Sequence, residues 1–188
     1  GLGPKGTIKP DIASYGGDLL RGDNGEMIMK GVNSFSRNGN VASSSGTSFA
    51  TARISSLATI IYQNICKDFK DFSDFNPILL KALIIHSAKN TDKNLSVEEI
   101  GYGIPSTSTE ILSYFKNENI KMFNGVMEKN KEIELDASFF NYKKDIKIKL
   151  TLVYDTEFDY LQKGEYIKSD IKIKDISENG KNLTRKFE

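Results

Sequence analysis

The chain has 188 residues, room for one large domain or for one domain and a smaller module, and its 38% hydrophobic and 27% charged residues are those of a folded rather than a disordered protein. Twenty-six basic residues against 25 acidic ones leave a formal charge of +1, which gives no electrostatic reason to expect nucleic acid or an anionic membrane as partner, and no apolar run approaches the ~20 residues of a membrane span. The single cysteine, Cys66, excludes an internal disulfide framework and a cysteine-based zinc site; at the end of an apolar helical repeat it is expected to be a buried thiol.

Residues 1–46 are rich in Gly, Ser and Asn and read as loops joined by short strands around Thr7–Ile12 and Met27–Val32. From Thr47 the pattern changes. Ala50, Ile54, Leu57, Ala58, Ile61 and Ile65 recur at three- and four-residue spacing, which predicts an amphipathic helix. Asn76-Pro77 opens a second helix with a cap residue followed by Pro at the first helical position. Its run LLKALIIHSA is apolar nearly all round, so this helix should be buried on most sides, and His86 within it is expected to be a core residue. After the loop GYGIPS, Thr107-Ser108-Thr109-Glu110 fits a capping box at the head of a third helix, ILSYF.

Beyond about Gly125 the period becomes two. Ile133, Leu135, Ala137 and Phe139 alternate with polar neighbours, as do Ile146, Ile148, Leu150, Leu152 and Tyr154, and later Ile167, Ile171 and Ile173. These read as half-buried antiparallel strands, with Ile146, Ile148, Leu150 and Leu152 turned to one buried face. Residues 126–188 also carry 26 charged side chains against 25 in the first 125. Both changes place a boundary near residue 125, with a mixed α/β part at 1–125 and a β-rich extension at 126–188. Asp155, Glu157 and Asp159 alternate in a way compatible with calcium, but spacing alone names no ligand, and no metal or organic cofactor is expected.

Ser48, in Gly46-Thr47-Ser48-Phe49-Ala50, stands where loop gives way to helix. A hydroxyl there can simply cap the helix. It can also act as a nucleophile, because the unpaired N–H groups and the positive dipole end of a helix start favour the oxyanion formed when a serine attacks a carbonyl. The five letters leave both open. Their surroundings narrow the choice.

Gly46-Thr47-Ser48-Phe49-Ala50 resembles the Gly-Thr-Ser-x-Ala signature around the nucleophile of subtilisin-like serine proteases. Ile8-Lys9-Pro10-Asp11-Ile12-Ala13 resembles the Lys-Pro-Asp-Val/Ile-x-Ala segment that precedes it in that family. Ala82-Leu83 with Ser87-Ala88, and then Gly101-Tyr102-Gly103-Ile104, resemble the next helix and the Gly-x-Gly turn after it. Four landmarks in family order cover roughly residues 5–115. The chain departs from the family at Ala52, usually Pro, at Arg53, usually His, and at Ser14, usually Pro. The stretch LTLVYDTEFDYLQKGEYIKSDIKIKD resembles the β extension of some bacterial members.

The resemblance implies the C-terminal part of a parallel-sheet α/β domain with packed helices, followed by an antiparallel β extension. It implies Ser48 as nucleophile of a serine endopeptidase, its backbone N–H being one oxyanion donor. In this family the acid, the base and the oxyanion asparagine all precede the serine. No histidine precedes Ser48 here, and no asparagine precedes Lys9. The expectation is therefore a fragment that hydrolyses nothing alone and whose partners are the upstream part of its own chain and a peptide or protein substrate. The alternative is a non-catalytic binding module or pseudoprotease of the same fold.

Overall fold

The computed structural model describes residue 3, residues 7–68, 76–133 and 148–156, and residues 161, 171, 177–178 and 181–182. The chain divides into two compact units, Gly1–Lys116 and Asn117–Glu188.

The first unit begins with two hairpins. β1 (Asp18–Arg21) pairs antiparallel with β2 (Met27–Lys30), placing Asp18 opposite Lys30 and Arg21 opposite Met27. β3 (Val32–Phe35) pairs in the same sense with β4 (Val41–Ser44). The two reversals use one device. Gly25 and Gly39 both take φ +79, and their N–H groups donate back to Gly22 O and Ser36 O, each at 2.9 Å. A positive φ of this kind is open to glycine at no steric cost, so Asp23-Asn24-Gly25 and Asn38-Gly39 are the hairpin signals. The strand expected over Met27–Val32 is thus β2, interrupted at Gly31, and among the described residues of Thr7–Ile12 no strand of more than one bridge forms.

Helix α1 (Thr47–Asp68) follows β4 after two residues. α2 (Pro77–Ser87) starts where Asn76 accepts a hydrogen bond from the Leu79 N–H at 2.9 Å, with Pro77 at the first position as the sequence predicts. α3 (Val97–Ile100) is one turn, and α4 (Ser108–Ser113) runs into a 3-10 turn, Tyr114–Lys116. The capping box at α4 is present: Glu110 N–H donates to Thr107 Oγ1 at 3.3 Å, and Thr107 N–H donates to Glu110 Oε2 at 3.1 Å. Helices α1, α2 and α4 pack on one another around Ile61, Ile65, Leu79, Leu83, Ile84, Ile85 and Ile111. Leu83, Ile84 and Ile85 are consecutive and all buried, so α2 is enclosed nearly all round.

Cys66 differs from expectation: its thiol is exposed. A residue step turns an α-helix by about 100°. Ile61 and Ile65 carry the inward stripe, and Cys66, one step past Ile65, falls on the outward row one turn after exposed Tyr62. A hydrogen bond with the Cys66 thiol pushes the Tyr62 hydroxyl above its ordinary 10.0.

Among the described residues the second unit holds one further pair, β5 (Ser177–Glu178) with β6 (Lys181–Asn182), also antiparallel. No parallel pair occurs among the described residues. Hairpins close locally, whereas parallel neighbours need crossovers of a dozen residues or more. In the second unit residues 148–156 form no strand; Leu150 and Leu152 are 53% and 44% exposed, while Ile148 and Tyr154 of the same row are half-buried like Thr151 and Val153 of the other, so neither face is buried among the described residues. Alternation defines two faces of an extended segment; a partner strand must still bury one, and none is paired with 148–156 among the described residues. The predicted strand positions Leu135, Ala137, Phe139, Ile146, Ile167 and Ile173, and the acidic pair Glu157 and Asp159, lie outside the described residues.

Candidate active site

Two segments meet at the head of α1. Gly46 N–H donates to Gly16 O at 2.8 Å, and Phe49 N–H closes the first turn on Gly46 O at 3.1 Å. The approach is close at Gly16 rather than at Gly46: a Cβ on Gly16 would sit 2.7 Å from Gly46 O, whereas one on Gly46 would meet nothing. Glycine at 46 therefore leaves open ground beside the helix tip. A cleft of about 350 Å³ lies there, lined by Ser14, Gly16, Gly17, Ser45, Gly46 and Thr47 among others.

Ser48 is the second residue of α1 and is exposed. Among the described residues neither its hydroxyl nor its backbone N–H has a hydrogen-bond partner, and no Thr47 or Ser48 hydroxyl caps the first turn. The capping role open in the sequence is thus not the one formed. An unengaged hydroxyl and an unengaged N–H at a helix start are the two groups that an acyl-transfer nucleophile needs free.

The other landmarks assemble behind this tip. Tyr102 N–H donates to Asp11 O and Ala13 N–H to Gly103 O, both at 2.9 Å, so the Lys-Pro-Asp segment lies against the Gly-x-Gly turn. Gly101 and Gly103 take φ +61 and +99, and a Cβ at either would collide with backbone, of Pro10 and Asp11 or of Lys89. Side chains at these two positions are excluded twice over. Lys89 and Ile104 exchange two 3.0 Å backbone bonds, and Ser106 N–H donates to the buried Ser87 Oγ at 3.1 Å. Ser87 belongs to one of the four sequence landmarks, and its role as a polar latch at the end of a largely apolar helix is seen only in the fold.

Asp11 accepts from Lys9 Nζ at 2.8 Å and faces Lys81 Nζ of α2 at 3.3 Å. Partial burial raises its pKa, but the bonds and charges of Lys9 and Lys81 outweigh that and hold it below its ordinary 3.8. Glu110, bonded to Thr107 N–H and hydroxyl, and Glu99, bonded to Ser96 N–H and hydroxyl, both lie below their ordinary 4.5. Groups with folded pKa values below the unfolded ones stabilise fully above the unfolded values, and that stability is lost as pH falls through the folded ones. The melting temperature is accordingly expected to hold from pH 7 to about 5 and to drop below about pH 4. Asp11→Asn with Glu110→Gln should flatten that drop in a calorimetric pH series; an unchanged slope would assign it to other carboxylates.

His86, half-buried near the end of α2, meets Tyr114 edge to face with ring centroids 5.9 Å apart. No hydrogen bond joins it to Ser48 among the described residues, so the one imidazole of the chain is engaged with the helical core rather than with the serine. Arg53, where related motifs carry His, lines a second open groove of about 590 Å³ along α1 with Leu57, Ile60 and Ile104.

The sequence model of the Subtilase family, the S8 peptidases, matches residues 2–103, more than half of the chain and the stretch that holds the four landmarks as far as Gly103. Neither curated proteins nor solved structures yielded a match. The chain belongs to the subtilase family of serine proteases.

Proposed function

We propose that Ser48 is the nucleophile of a serine endopeptidase. The observation that carries this reading is the exposed Ser48 hydroxyl and N–H, both without partners among the described residues, at the tip of a helix beside an open cleft. Ser48 Oγ attacks the carbonyl carbon of the scissile peptide as a histidine from the upstream part of the protein takes its proton. The tetrahedral oxyanion is held by Ser48 N–H and by an upstream asparagine. Collapse expels the amine, which recovers the proton from the imidazolium, and water then releases the acyl group from Ser48 by the same steps.

The 188-residue chain alone is then inactive, since its one histidine is held against Tyr114. The test is a fluorophosphonate probe with peptide mapping: the intact protein should be labelled at Ser48 and the isolated chain should neither label nor turn over substrate. Labelling elsewhere would transfer the role to another residue, and turnover by the chain alone would defeat the reading.

His86→Ala in the intact protease should leave kcat and KM near their starting values. It should lower stability by about 1 kcal/mol through the lost ring contact. A fall in kcat without a matching fall in folded fraction would make His86 part of the machinery.

A further inference from the structure

We propose that the segment from Lys9 to Gly16 is a strap that sets the position of the Ser48-bearing helix tip, and that Asp11 is the positioning residue holding the strap to α2. The catalytic consequence rests on Ser48 as nucleophile; the structural claim does not.

The strap is fixed at both ends and in the middle. At its far end Gly16 O accepts the Gly46 N–H at 2.8 Å, two residues before Ser48. A Cβ on Gly16 would stand 2.7 Å from Gly46 O and 3.6 Å from the Ala50 Cβ, so the strap seats directly on the first turn of α1. In the middle, Ala13 N–H is bound to Gly103 O at 2.9 Å. At the near end the Asp11 carboxylate bridges Lys9 at 2.8 Å and Lys81 at 3.3 Å, while Asp11 O takes the Tyr102 N–H. Lys81 belongs to α2, whose Leu79, Leu83, Ile84 and Ile85 lie in the core. Through Asp11 an enclosed helix therefore supplies the reference for the exposed tip that carries Ser48.

Position matters there because a misplacement of ~1 Å can cost ~10²-fold in rate. The short loop from β4 and the packing of α1 hold the helix as a whole, but neither Thr47 nor Ser48 makes a capping bond at its first turn among the described residues, so the strap is the added hold there. The charged groups facing Asp11 are Lys9 on its own segment and Lys81 on α2. The neighbouring turn presents the backbone of Gly101, Tyr102 and Gly103. With both ammonium groups in place the carboxyl stays ionised through neutral pH.

The test uses the 188-residue chain, isotopically labelled, with the Gly46 and Ser48 amides followed by NMR and hydrogen exchange. In the starting protein the Gly46 amide shift should titrate with a midpoint below the ordinary aspartate value. Asp11→Asn should abolish that titration and speed exchange at Gly46 by roughly fivefold or more, the scale of losing ion pairs at a locally opening site. Lys81→Met, which leaves the carboxylate and Lys9 in place, should give a smaller acceleration and keep the titration; it also serves if Asp11→Asn does not fold. Ile111→Ala lowers global stability without touching the strap and should leave the Gly46 titration as it was.

Gly46 and Ser48 amides that neither titrate nor change in Asp11→Asn, or that change equally in Ile111→Ala, would overturn the strap. These readouts need no catalysis. Failure of the strap is thereby kept apart from failure of Ser48 as nucleophile, which activity of Ser48→Ala would show.

Discussion

Ser48→Ala in the intact protease is expected to lower kcat by about 10⁶-fold, the size known for subtilisin itself and carried over here, with KM and fold nearly unchanged. The loss is so large because, in the role proposed for Ser48, its hydroxyl is the reacting group, and no neighbour can form the acyl bond in its place. The structural cost should be small for a reason visible at the helix tip. Ser48 is exposed and its hydroxyl holds no partner among the described residues, so its removal breaks no bond and leaves no void. Stability should stay within about 0.5 kcal/mol, as for surface substitutions generally. Titration with a peptide substrate and a denaturant melt on the same preparation check both halves. Residual turnover above the uncatalysed rate by more than ~10⁴-fold would exceed what binding and an oxyanion hole supply alone, and would move the nucleophile elsewhere.

Ile61→Ala should give the largest loss of stability among single changes in the helical core, about 2–5 kcal/mol. Ile61 is 0% exposed on α1, the helix that packs on α4 and α2, so truncation removes buried methyl groups and leaves a cavity in the helical core. That is a large part of the 5–15 kcal/mol a domain typically has. Ile60 gives the internal control, being the preceding residue of the same helix yet 42% exposed. Ile60→Ala should cost under about 1 kcal/mol. Urea melts of the two variants in the 188-residue chain should differ in midpoint at similar slope. Equal midpoints would mean that α1 does not present the face described.

The features legible in the sequence were those fixed by neighbours in the chain. Asn76-Pro77, Thr107 with Glu110, and the stripe Ile54–Ile61–Ile65 each state their structure within one or two helical turns, and each is present. Two signals of the same local kind went unused, Asn24-Gly25 and Asn38-Gly39, and their hairpins were only partly anticipated. Of the strands expected in the second unit, most lie outside the described residues, and the described stretch 148–156 forms none for a different reason. Leu150 and Leu152 show period two, but a sheet is settled by which distant segment lies alongside, and period alone does not name it. Cys66 failed on a single residue of helical phase. At the candidate site the motif located Ser48, yet nothing in the letters said that Gly16 would touch Gly46 or that Asp11 would reach Lys81. Those contacts join segments far apart in sequence.

The bond from Tyr102 N–H to Asp11 O has a consequence in time. It closes a loop of roughly ninety residues, and the entropy of such a closure must be met before the contact gives anything back. Helices α1, α2 and α4 form their own turns from local bonds and can gather first. The segment carrying Asp11, though synthesised before all of them, can dock only after the Gly101–Gly103 turn exists to receive it. The serine tip, seated on Gly16 at the end of that segment, is then among the last parts of the unit to be put in order. A newly made chain thus carries its proposed nucleophile, Ser48, unaligned until the helices behind it are complete.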